Sequence, residues 1–197
     1  MKSRRLKTFV IFLVILGVVY TGITLWKNAS GAVPRELSEA RVQGALISEI
    51  IVSLSEKSST DLEKINKLDR EGKYKEALDL TEDVVEQSQE IRDKAVALSD
   101  QIVTMTKSLS GIRSLEARQA LLDAITNRLA LVSKLINYSA YLGQLLDVLQ
   151  KHFSGESFKN SDVARLVGQI NSEVKAVNSF NIQATQAMEK FDKIIEK

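Results

Sequence analysis

The chain has 197 residues, no cysteine, a single histidine, and 27 basic against 25 acidic side chains. Those counts exclude disulfides, thiolate metal sites and a cysteine nucleophile, and they leave His152 as the sole imidazole for any metal cluster or catalytic triad. The first 26 residues hold four of the basic groups and none of the acidic ones; the remainder, with 23 basic and 25 acidic groups, is −2, mixed in sign and without the basic stripe that nucleic acid requires.

Residues 1–7 form a basic tail carrying Lys2, Arg4, Arg5 and Lys7. Residues 8–26 follow without a charge, long enough at ~1.5 Å per residue to span a bilayer core of roughly 30 Å. Basic residues upstream predict a cytoplasmic N-terminus, with Tyr20 and Trp26 suited to the interface and residues 35–197 outside the cytoplasm beyond a linker at 27–34. The competing reading is a cleaved signal peptide, with Ser30 and Ala32 at the −3 and −1 positions and a secreted product; the apolar run exceeds the usual h-region of about 7–15 residues, which favours an uncleaved anchor.

Beyond Pro34, the chain is rich in Ala, Leu, Glu, Lys, Gln, Ser and Ile, the composition of an all-α domain. In the first helix, Leu37, Ala40, Gly44, Ile47, Ile51 and Leu54 alternate steps of three and four, the pattern of a packed seam. Lys57–Thr60 predicts a kink or restart, with Thr60 and Glu63 as a capping box and Leu62, Ile65 and Leu68 continuing the apolar face. Gly72 is the expected C-terminal stop.

The second helix has the cleanest pattern, an unbroken 3-4 alternation from Tyr74 through Ala77, Val84, Ile91, Leu98 and Met105 to Leu109. Gly111 marks a turn and Ser114 a candidate N-cap. The third helix is apolar at Leu122, Ile125, Leu129, Val132, Ile136, Leu142, Leu146 and Leu149, widened by Leu121, Leu135 and Leu145. After the loop 154–160, Asn160 or Ser161 is the expected cap of a fourth helix, whose seam runs from Val163 through Val167, Ile170, Val174, Val177, Asn181, Ala184, Met188 and Phe191 to Ile195. Four long helices with short turns predict an elongated antiparallel up-down-up-down four-helix bundle with coiled-coil-like packing.

The stretch Gly72-Lys73-Tyr74-Lys75-Glu76-Ala77-Leu78 resembles the turn inside a tetratricopeptide repeat. The resemblance covers about a dozen residues and lacks the closing proline and a second copy, so a plain helical hairpin is expected. Asn181 is read as a buried register-setting polar group, His152 as a favourable cation at a helix C-terminus, and Tyr138 and Tyr141 beside Asn137 as interface packing. Glu36, Glu39, Glu49 and Glu56 are read as solvated. Asn28-Ala29-Ser30 and Asn137-Tyr138-Ser139 match the glycosylation sequon, which has meaning only in a eukaryotic host. No Glu-x-x-His pair of a di-iron bundle occurs, and no catalytic, cofactor-binding or metal residue is assigned.

The expectation is a non-enzymatic, single-pass membrane protein displaying a helical bundle as an interaction or scaffold module. Its expected partners are the bilayer, through residues 8–26, and a protein or second copy, through the helices. The alternative is a ligand-binding sensory domain working through a partner: basic tail, apolar segment and long bundle are similar in layout to the extracytoplasmic domains of bacterial chemoreceptors, without a shared residue motif.

Overall fold

The computed structural model describes residues 33–196. The basic tail, the apolar segment 8–26 and most of the linker lie outside the described residues; among those described, no helix is long and apolar enough to cross a membrane. The described chain is all-helical: α1 (Arg35–Glu71), α2 (Tyr74–Lys107), a 3-10 turn (Ser108–Gly111), α3 (Leu115–Phe153) and α4 (Asn160–Ile195). Chain neighbours α1–α2, α2–α3 and α3–α4 pack most closely, and α1 meets α4 through side chains, as Arg41 does with Asp192. The 37 residues of α1 extend about 55 Å.

The turns fix this order. Gly72, at φ 71°, ends α1 in the left-handed conformation; its N–H donates to the Asp69 carbonyl and that of Lys73 to the Leu68 carbonyl, the paired bonds of a Schellman stop. Gly155, at φ 78°, repeats the device after α3, with bonds to the carbonyls of His152 and Lys151. Both turns lie at one end of the bundle, called distal because it is the end away from Pro34 and the start of α1; the other end is proximal. At the proximal end, Ser114 caps α3 by accepting the Ala117 N–H at 3.2 Å. There Pro34 lies so close to Gly111 that a Cβ on the glycine would stand 3.0 Å from the proline Cγ, tying the start of α1 to the α2–α3 turn.

Two expected helix boundaries are corrected. Helix α1 runs unbroken through 57–60: Thr60 donates its hydroxyl back to the Glu56 carbonyl at 3.0 Å, satisfying it inside the helix instead of capping a new one. At the start of α4 the N-cap position is Lys159, with no side-chain cap, and Asn160 is the first helical residue.

The seam of α2 is as expected. Ala77, Thr81, Val84, Ser88, Ile91, Ala95, Leu98, Ile102 and Met105 are all buried, whereas Tyr74 at its head is exposed. On α3, Ile125, Val132, Leu142 and Leu146 are buried as expected, as are Leu121, Leu135 and Leu145, but the face is narrower than expected on one side. Leu122 and Leu129 are exposed, while the heptad Leu121, Leu135 and Leu142 faces inward with Ala117, Ala120 and Ala124. The buried small alanines set that edge, because they let α3 approach its neighbours closely. In α4, Leu166 is buried while Val163 and Val167 are half-buried, and Asn181 is half-buried rather than enclosed.

Candidate functional site: the polar layers inside the bundle

The middle of α1 buries Ser55, Ser58, Ser59 and Asp61 where an apolar stripe would ordinarily continue. Ser55 donates to the Ile51 carbonyl of its own helix at 2.8 Å, whereas Ser58 and Asp61 are bonded across to α2. Ser58 donates its hydroxyl to Gln87 Oε1 at 2.8 Å, Gln87 Nε2 donates to Asp61 Oδ2 at 3.0 Å, and Lys64 Nζ caps Asp61 Oδ1 at 2.8 Å. Burial pushes the Asp61 carboxyl up, but the bonds from Lys64 and Gln87 outweigh it and hold the group below the ordinary carboxylate value.

A second buried layer joins α2 to α3. Ser139 donates to the Ser88 carbonyl at 2.7 Å and Ser88 donates to the Ser139 carbonyl at 3.2 Å, so each hydroxyl bonds the facing backbone. Ser139 is thus committed to helix packing, and neighbouring Tyr138 is buried with its hydroxyl held in the neutral form by desolvation. The pair Tyr138 and Ser139 therefore packs, as expected of Tyr138; Tyr141 is half-buried against the core. At the distal end, His152 Nε2 lies 2.8 Å from Asp69 Oδ1, and its ring packs on Phe158, Phe153 and Tyr74 with centroids 4.4, 5.1 and 5.6 Å away. His152 therefore does more than face a helix terminus: it clamps the α3 end to α1.

The proximal half holds a layer of another kind. Arg41 on α1 grips Asp192 on α4 with both guanidinium nitrogens, at 2.7 and 2.8 Å, and its side chain is only 10% exposed. The same guanidinium lies over the Phe191 ring, 5.9 Å from its centroid. Arg128 on α3 shares this neighbourhood and feels the charges of both Arg41 and Asp192. It occupies the heptad position of Leu121, Leu135 and Leu142, so its stem points into the seam. Its Nη1 reaches Met105 Sδ on α2 at 4.0 Å and lies 3.7 Å from where a Cβ on Gly44 of α1 would stand. Desolvation, with Arg41 adding repulsion, lowers its pKa to about 10. The guanidinium remains protonated at neutral pH, yet Asp192 already has both oxygens engaged by Arg41.

The sequence reading assigned none of these layers. Arg128 is legible in retrospect from its seven-residue spacing with Leu121 and Leu135; Asp61 and Gln87 carry no comparable signal, because charged and amide residues at those positions read as solvated. Among the described residues, no group of three His, Asp or Glu side chains is placed to hold a metal ion.

The outer surface shows a matching asymmetry. Val42, Leu46 and Ile50 form an exposed stripe at four-residue steps on α1, and Leu115, Leu122 and Leu129 one at seven-residue steps on α3. Val96 and Val103 on α2 and Ile182 on α4 are also exposed in the proximal half, against Tyr74 alone among the described residues of the distal half. Comparison with family models, curated proteins and solved structures finds no match for this chain.

Proposed function

We propose that the chain is a single-pass membrane-anchored protein of the cell envelope whose helical bundle works outside the cytoplasm as a non-enzymatic interaction module. The anchor rests on the uncharged residues 8–26 behind a basic tail. The interaction reading rests on the exposed apolar stripes of the proximal half, above all Val42, Leu46 and Ile50, which leave three large side chains in water on one line of one helix. Contiguous apolar surface of this kind is what protein interfaces use.

The test places a photocrosslinking residue at Leu46 or at Lys67 of the full chain in its native membrane. A discrete adduct from Leu46 and none from Lys67 supports the reading; equal yields, or none from either, remove it. Protease added to intact cells should reach the bundle only after the outer barrier is opened; a bundle protected with the cytoplasmic contents would reverse the orientation. A ligand-binding sensory module is the second reading, and the observation favouring it is Arg128, a cation in the seam without a carboxylate of its own among the described residues.

A further inference from the structure

We infer that Arg128 anchors a site for a small soluble oxyanion, a phosphate or carboxylate group, in the proximal half of the bundle. Three observations carry this beyond the interaction reading and independently of it. First, position: Arg128 takes a seam position otherwise filled by leucine, where a cation is costly to maintain without compensation. Second, pairing: the Arg128 guanidinium has five N–H donors, and among the described residues its one bonded contact is the weak acceptor Met105 Sδ. The neighbouring carboxylate, Asp192, is already held bidentately by Arg41. Third, burial: Arg128 is half-buried, so it is neither sealed in the core nor fully solvated.

A planar fork with unfilled donors, partly desolvated and next to a second guanidinium, matches the geometry of phosphate and carboxylate recognition. An anion there would give Arg128 the acceptors it lacks and relieve its repulsion with Arg41. Gly44 of α1 stands beside Nη1, where a Cβ would make an ordinary van der Waals contact at 3.7 Å. Thirteen residues of α3, about 20 Å of helix, separate Arg128 from Leu115 at the proximal end. That depth favours a soluble anion over a lipid headgroup meeting the end of the bundle.

The experiment uses the full chain in lipid-free non-ionic detergent. Inorganic phosphate is titrated at constant ionic strength against chloride, following thermal unfolding by circular dichroism and heat by calorimetry. The wild type should show a saturable phosphate-dependent rise in Tm and a saturable heat. Arg128→Met should fold with unchanged helicity and lose both, and Arg128→Lys, a point charge without the fork, should bind at least about tenfold more weakly. A general salting effect of phosphate would appear equally in Arg128→Met and would overturn the site. So would a wild-type titration without saturable heat, which decides the matter even if a variant fails to fold. Neither result touches the apolar stripes, so the interaction reading stands or falls separately.

Discussion

The two halves of the bundle treat polar groups in opposite ways. In the distal half the polar interior is largely bonded: Ser58, Gln87, Asp61 and Lys64 bond one another, His152 pairs with Asp69, and among the described residues the large apolar side chain left exposed there is Tyr74; the buried amide nitrogen without a described partner, Asn178 Nδ2, lies at the middle of α4. In the proximal half the interior holds two guanidiniums around one described carboxylate, and the surface carries the exposed stripes of α1 and α3. Closed polar networks specify a fold and ask for nothing more; open ones leave interactions unmade. The contrast locates stability in the distal half and binding capacity in the proximal half.

The largest effect comes from placing a charge in each half. Leu142, fully buried in α3, and Leu98, buried in α2 against Gly44, are both seam leucines. Leu142→Asp should cost about 4 kcal/mol or more, an unpaired carboxylate in an apolar layer. Leu98→Asp should cost about half as much, because Leu98 and Arg128 both border Gly44 and the new carboxylate meets a guanidinium short of acceptors. Denaturant melts followed at 222 nm measure both; equal costs would mean that the proximal layer is as closed as the distal one.

Asp61→Ala comes next. It strips Gln87 Nε2 and Lys64 of their acceptor inside the α1–α2 contact and should cost about 2–3 kcal/mol. The pH dependence has a defined sign. The folded carboxyl titrates below its ordinary value, so its contribution is complete above the unfolded pKa of about 4 and is lost as pH falls through the folded value. Asp61→Asn should therefore flatten the acid limb of the stability curve below about pH 4. An unchanged acid limb would assign the loss to other carboxylates and weaken the claim that this layer is the distal lock.

Arg128→Met tests the other half and should act in the opposite direction. Removing a desolvated guanidinium whose described bonded contact is a thioether, and filling the seam with an apolar chain, should raise stability by about 1 kcal/mol in anion-free buffer. A loss of similar size would show that Arg128 belongs to the fold as Asp61 does.

Sequence carried the helices, their order and the seam of α2 from Ala77 to Met105, because that seam keeps one 3-4 alternation with few competing apolar positions. On α3 it found the buried Ile125, Val132, Leu142 and Leu146, with Leu121, Leu135 and Leu145 beside them, but it also counted Leu122 and Leu129, which are exposed: neighbouring leucines offer similar apolar area on either side of the face, and its edge is set by Ala117, Ala120 and Ala124 through close packing that periodicity does not register. Arg128 lies at the same heptad position as Leu121 and Leu135, yet a guanidinium reads as solvated wherever it falls in a sequence. Asp61 and Gln87 were invisible for a different reason, since what makes their burial tolerable is a partner 26 residues away in sequence.

The smallest thermodynamic effect belongs to the surface, and it separates folding from function most cleanly. Leu46 is half exposed on the outward line of α1 with Val42 and Ile50. Leu46→Ser removes apolar surface that water already reaches, so stability should change by no more than about 0.5 kcal/mol. The crosslinked adduct expected at this stripe should nevertheless fall, because interface energy concentrates in a few central side chains. A parallel change at Leu122 on α3 asks whether both stripes serve one partner: loss from either variant points to one surface wrapped by a single protein, and loss from Leu46→Ser alone confines the contact to α1. If both variants melt several degrees lower, the stripes are covered within the full chain and the proximal half is a packing surface. An unchanged melt with a lost adduct is the outcome that follows from a half whose apolar surface lies outside its own core.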